Sequence, residues 1–159
     1  QPIVNGSNFT ISAWAKVVGK SNLSGYGIAG EFSGNSWIYW TGIVGIDSDP
    51  TLIRCFISNG SNGNYTGNVN ITYGGMNQWH HYSCSYNGTA LKLFVDGVLN
   101  QTGQVTLLGT VPAVGANTQF RIGASYGNRY LINGTIDEVK VYNRSLTADE
   151  IRAQYLAGA

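Results

Sequence analysis

Phe9-Thr-Ile-Ser-Ala-Trp-Ala-Lys-Val-Val18 is the stretch on which the fold turns. Phe9, Ile11, Ala13, Ala15 and Val17 recur at every second position. An extended chain points successive side chains to opposite faces, so this period marks a strand buried on one side. Outward from it the same period returns. Ile53, Cys55 and Ile57 share one face, and so do Tyr82, Cys84 and Tyr86. Leu91-Lys-Leu-Phe-Val95, Asp96-Gly97 and Val98-Leu99 spell a hairpin, because Asp-Gly suits the two left-handed positions of a type I′ turn. Further strands are expected over 28–32, 37–46, 52–58, 69–73, 79–86, 120–124 and 135–142, with a Gly/Asn/Ser loop over 59–68. In the last strand both faces carry apolar residues: Ile136 shares one with Glu138, Lys140 and Tyr142, and Val139 and Val141 share the other with Asp137. Periodicity leaves its inward side open. Only the C-terminal end reads as helix, opened by the capping box Thr147-Ala-Asp-Glu150 and given apolar contacts by Leu146, Ile151 and Tyr155.

Composition agrees with an all-β chain. The 159 residues include 22 Gly, 10 Tyr and 4 Trp, and only 11% are charged. Length fits one domain, taken as 1–159, with enough chain to bury a two-layer core. A net charge of +1 and scattered Lys and Arg give no electrostatic footprint for nucleic acid. No apolar run approaches the roughly 18 residues of a membrane span, so no insertion by this segment is expected.

Asparagine points to location. Ten of 16 Asn lie in Asn-x-Ser/Thr: Asn5, Asn8, Asn22, Asn59, Asn64, Asn70, Asn87, Asn100, Asn133 and Asn143. With 25 Ser plus Thr in 159 residues, chance gives about 2.5 such sites. Turn chemistry accounts for Asn5, Asn59, Asn87 and Asn133, which precede Gly. N-glycosylation accounts for all ten. Cys55 and Cys84 carry no metal-type spacing. They are two small apolar residues in a reducing compartment or a disulfide in an oxidising one. The sequons select the oxidising exterior, an extracellular or cell-surface location, and with it the bridge.

Five segments taken together resemble laminin G-like domains of the concanavalin A-like lectin/glucanase superfamily. They are Phe9-Thr-Ile-Ser-Ala-Trp-Ala-Lys16, Trp79-His-His-Tyr82, Leu91-Lys-Leu-Phe-Val-Asp-Gly-Val98, Arg121-Ile-Gly-Ala124 and Asn133-Gly-Thr-Ile-Asp-Glu-Val-Lys-Val-Tyr-Asn-Arg-Ser-Leu146, in the family's order. The resemblance implies a jelly-roll sandwich of two antiparallel sheets with one short C-terminal helix. It also implies a further N-terminal strand, for which residues 1–8 leave no room, beside the 136–142 strand. Either that strand lies upstream in a longer precursor, or the sheet edge there is open and a template for another chain, such as an identical neighbouring subunit.

The glucanases of that superfamily set Glu-x-Asp-x-(x)-Glu along one strand, so that alternate carboxylates face one cleft. The eight carboxylates here contain no such triplet, and Asp137 and Glu138, as strand neighbours, are expected to face apart. His80 and His81 are expected to diverge in the same way, one packed and one exposed. No enzyme is expected. Asp47 and Asp49 in Asp47-Ser-Asp-Pro50 offer oxygens to a structural Ca²⁺, and Asp137 matches a position that helps such a site in some relatives. Tyr126-Gly-Asn-Arg-Tyr130 is the expected contact loop, with Tyr126, Asn128, Arg129 and Tyr130 presented to a glycan or protein ligand. Two functions follow: a recognition module of a cell-surface protein, or a structural subunit of a glycosylated filament, sheath or layer.

Overall fold

A computed structural model describes residues 8–19, 26–33, 40–46, 49–58, 65–72, 76–104, 118–125 and 130–159. The strands run β1 Phe9–Gly19, β2 Tyr26–Ser33, β3 Trp40–Ile46, β4 Asp49–Ser58, β5 Tyr65–Thr72, β6 Trp79–Tyr86, β7 Ala90–Val95, β8 Val98–Gln104, β9 Thr118–Ile122 and β10 Asn133–Tyr142. They are followed by α1, Ala148–Gly158. One sheet has the order β10-β1-β6-β7-β8 and the other β5-β4-β3-β2-β9. Neighbouring strands are antiparallel throughout. This is the two-sheet sandwich with a C-terminal helix that the alternation in β1 predicts.

The core lies between the sheets. Phe9, Ile11, Ala13, Ala15 and Val17 of β1 meet Ile43, Ile53, Cys55 and Ile57 of the opposite sheet, all at most 1% exposed. Each large apolar side chain buried there contributes about 1.5–3 kcal/mol. Cys55 of β4 and Cys84 of β6 are disulfide-bonded across this core, with Cα atoms 5.7 Å apart. The two residues come from opposite sheets rather than from neighbouring strands, so the bond ties layer to layer.

The outer face of the first sheet is also covered. Thr10, Ser12, Ser83 and Ser85 point away from the core yet are buried. Their small side chains leave room for the segment leading into α1. Leu146 N–H donates to Thr10 Oγ1 (2.9 Å), and Ser85 Oγ meets Ser145 Oγ (2.8 Å). Phe94, Leu146 and Ile151 form a small apolar cluster between sheet and helix. The capping box is present in both directions: Glu150 N–H donates to Thr147 Oγ1 (3.3 Å), and Thr147 N–H donates to the Glu150 carboxylate (2.9 Å).

Several boundaries differ from the sequence reading. Strand β5 starts at Tyr65, inside the expected loop, and β4 starts at Asp49, three residues before the expected 52–58 strand. Strand β10 resolves its own ambiguity by a bulge. Ala15 pairs with Ile136 and Trp14 with Asp137, but Ser12 pairs with Lys140, so the strand gains a residue between. Glu138 sits at the bulge with φ 48°. The extra residue changes the phase, and Ile136, Val139 and Val141 all pack against the core.

Candidate functional site

The Asp96-Gly97 turn fixes the top of β6. Both residues have positive φ, 52° and 74°, as a type I′ turn requires. The Asp96 carboxylate accepts from His81 N–H (2.9 Å) and meets His80 Nδ1 at 2.7 Å. His80 is therefore held half-buried by this hydrogen bond rather than exposed. His81 points to the other face and is buried beneath α1, between the rings of Trp14 (5.5 Å between centroids) and Tyr155 (6.5 Å). Burial lowers its pKa from 6.5 to about 4, helped by Lys140 and opposed by Asp96 and Glu138. The imidazole is neutral at physiological pH. The two rings diverge as expected, but neither is free in solvent.

Beside this cluster the outer face opens into a pocket of about 330 Å³ lined by Trp14, Trp79, Asp137, Glu138, Gly158 and Ala159. Strand β1 supplies Trp14, and the start of β6 supplies Trp79, which is 43% exposed. Tyr155 stacks on Trp14 at 5.6 Å and steadies it. The last turn of α1 closes one side, where a Cβ on Gly158 would stand 2.5 Å from Trp14 Nε1. Here the sequence reading needs correcting. Asp137 and Glu138 do not face apart, because the β10 bulge turns both toward this pocket. Asp137 Oδ1 accepts from Glu138 N–H (2.8 Å), and Glu138 is paired with Lys140 (2.7 Å). No sequence signal marked Trp14 and Trp79 as pocket residues, since only the register across three strands brings them together.

The other expected site residues fall as follows. Tyr126, Asn128 and Arg129 lie outside the described residues, as does Asp47. Tyr130 is half-buried with φ 57°, and its carbonyl accepts from Gly27 N–H (3.2 Å). Asp49 stands at the start of β4, away from Asp137 of the other sheet. Ca²⁺ asks for six to eight oxygens. No group of three or more His, Cys, Asp or Glu gathers as metal ligands among the described residues, and Asp47, one of the three expected ligands, lies outside them. Of the sequons, Asn8, Asn87, Asn100, Asn133 and Asn143 are exposed, Asn70 lies in β5, and Asn5, Asn22, Asn59 and Asn64 lie outside the described residues. Residues 1–7, on which the expectation of a missing first strand rests, are also outside them, and among the described residues β10 is an edge of its sheet.

Two antiparallel sheets in these strand orders, a helix on one outer face and a buried cross-sheet disulfide define a jelly-roll sandwich domain of the lectin type. The chain belongs to the laminin G-type family described as the Concanavalin A-like lectin/glucanases superfamily, whose profile matches residues 1–152. Over 146 residues it is 24% identical to adhesion G-protein coupled receptor V1 of Danio rerio, a match that covers 91% of this chain and 2% of that receptor. In fold it is similar to the binding domain of botulinum neurotoxin serotype D, with a TM-score of 0.71 and 17% identity over 98% of this chain and 37% of that one. It is also similar to Trypanosoma rangeli sialidase, with a TM-score of 0.68 and 16% identity over 96% of this chain and 23% of that one. Matches at these identities show the sandwich alone, which serves binding domains and an enzyme alike.

Proposed function

We propose that this chain is an extracellular, N-glycosylated recognition module of a cell-surface protein, binding a carbohydrate or protein ligand without chemistry of its own. One observation carries the reading: a buried disulfide joins the two sheets in a chain where each sequon asparagine with a described side chain is exposed. Disulfides persist in oxidising compartments, and sequons are used there. Asn87 illustrates the compatibility. Its Oδ1 accepts from Thr89 N–H, Thr89 Oγ1–H and Ala90 N–H at 2.8–3.1 Å, a geometry that holds the sequon in an exposed turn. Recognition rather than catalysis is supported by the lack of a Glu-x-Asp-x-(x)-Glu strand and by the words "adhesion" and "binding domain" in the names of two similar proteins.

A second reading, a structural subunit of a filament, sheath or layer, is favoured by β10. Among the described residues it is an edge strand, and its core-facing Ile136, Val139 and Val141 are only partly covered. Purified glycosylated protein separates the two readings. A recognition module stays monomeric in sedimentation and binds saturably to immobilised surface glycans or ectodomains. A subunit sediments as a concentration-dependent polymer and leaves those surfaces bare.

A further inference from the structure

We infer that the Trp14–Trp79–Asp137–Glu138 pocket binds an organic cation, an alkylammonium or guanidinium group such as the basic side chain of a protein partner. The inference rests on the recognition reading and names the chemistry of one contact within it. Two indole rings line the pocket, and indole is the best of the aromatic faces for a cation. Two carboxylates line it as well, placed there together by the β10 bulge. Lys140 engages Glu138, whereas Asp137 is in no ion pair among the described residues. The lining therefore keeps uncompensated negative charge. Lys16, opposite Trp79 in register, is not among the lining residues.

The balance of donors and acceptors selects the cation over a saccharide. The lining presents two carboxylates and two indole rings. Of the two indole N–H donors, that of Trp14 is buried with no partner and has Gly158 packed against it, which leaves that of Trp79 to face two carboxylates' worth of acceptors. Sugar hydroxyls need acceptors and donors in return. An ammonium or guanidinium group only donates, and it matches a lining in which carboxylate acceptors stand beside indole rings. The volume lies at the small end of the roughly 300–1,000 Å³ typical of ligand pockets, sized for a side-chain head rather than an oligosaccharide.

The test is a ¹H–¹⁵N titration of the whole chain, read at the two indole N–H resonances of Trp14 and Trp79. The probes are butylammonium, butylguanidinium, an acetylated Gly-Lys-Gly amide and, for contrast, neutral methyl glycosides and acetate. The cations are expected to shift both resonances saturably, and Trp79→Ala and Asp137→Asn to weaken binding about tenfold each. Both positions are exposed, so the variants fold. Tighter binding of the Lys peptide than of butylammonium assigns the cation to a protein side chain, while equal binding assigns it to the ammonium group alone. Shifts with glycosides but not cations, or cation shifts untouched by both variants, overturn the site. Ligand capture by the domain that survives Trp79→Ala overturns it too, while leaving the recognition reading standing.

Discussion

At His81 the chain places a neutral imidazole between the indole of Trp14 and the phenol of Tyr155, where α1 meets the sheet. The groups facing it are Lys140, Asp96 and Glu138. Its pKa is about 4 when folded and 6.5 as the free side chain. Between those values the unfolded chain binds more protons than the folded one, so stability falls as pH drops through that window. Urea midpoints measured across it should decline toward pH 4 in the parent and decline less in His81→Phe. Glu150 acts lower. Its bidentate bond to Arg144, with the Thr147 N–H, holds its carboxyl down from 4.5 to about 2, so its contribution is lost as pH falls through that lower range. Glu138 is a second residue under tension, at φ 48°. Its pair with Lys140 is exposed and worth at most about 1 kcal/mol. Glycine fits that backbone and a β-branched residue does not. Glu138→Val should therefore be less stable than Glu138→Gly by about 1–2 kcal/mol in urea titrations.

Among the elements, β1, the β7–β8 hairpin and the start of α1 were legible because each carries its own determinant. Alternation, an Asp-Gly pair and a Thr/Glu box act through residues a few positions apart. Thr147→Ala removes one half of the box and should cost about 1 kcal/mol, with hydrogen exchange in 148–158 accelerating before that in β1 or β6. Strand β10 was illegible for the opposite reason. Its bulge exists only against β1, so the inward phase and the convergence of Asp137 and Glu138 depend on a strand far away in sequence, Trp14 opposite Asp137 and Ser12 opposite Lys140. The early start of β5 has another cause: Tyr65, Gly67, Val69 and Ile71 alternate with Thr66, Asn68, Asn70 and Thr72, but the Gly and Asn of this stretch read as loop until pairing with β4 makes it a strand. The pocket was missed with the bulge, because reading Asp137 and Glu138 as ordinary strand neighbours sends them apart.

On the scale of the whole molecule, the disulfide adds a covalent side-chain bond between layers otherwise joined by backbone connections and core packing. Cys55 and Cys84 stand 29 positions apart, and closing a loop of that length stabilises by about 3.6 kcal/mol in the chain-entropy model. The Cys55→Ala/Cys84→Ala variant should lose about that much in equilibrium unfolding while retaining its far-UV spectrum. The pairing of these two cysteines followed in the sequence from location rather than geometry, and their placement on opposite sheets was not visible there. Register also sorts the sequons. Phe9 pairs with Tyr86 and Thr10 with Tyr142, so Asn8, Asn87 and Asn143, each next to one of these residues, gather at one end of the first sheet. Trp79, at the start of β6, marks the other end and leaves the pocket side clear of those three.

Peptide mapping of the native protein by mass spectrometry, before and after enzymatic removal of N-glycans, tests the extracellular reading most directly. The expected result is glycan mass on peptides carrying Asn8, Asn87 or Asn143, conversion of those residues to Asp on deglycosylation, and a Cys55–Cys84 crosslinked peptide that separates on reduction. Unmodified asparagines at every sequon together with free thiols at both cysteines would contradict it.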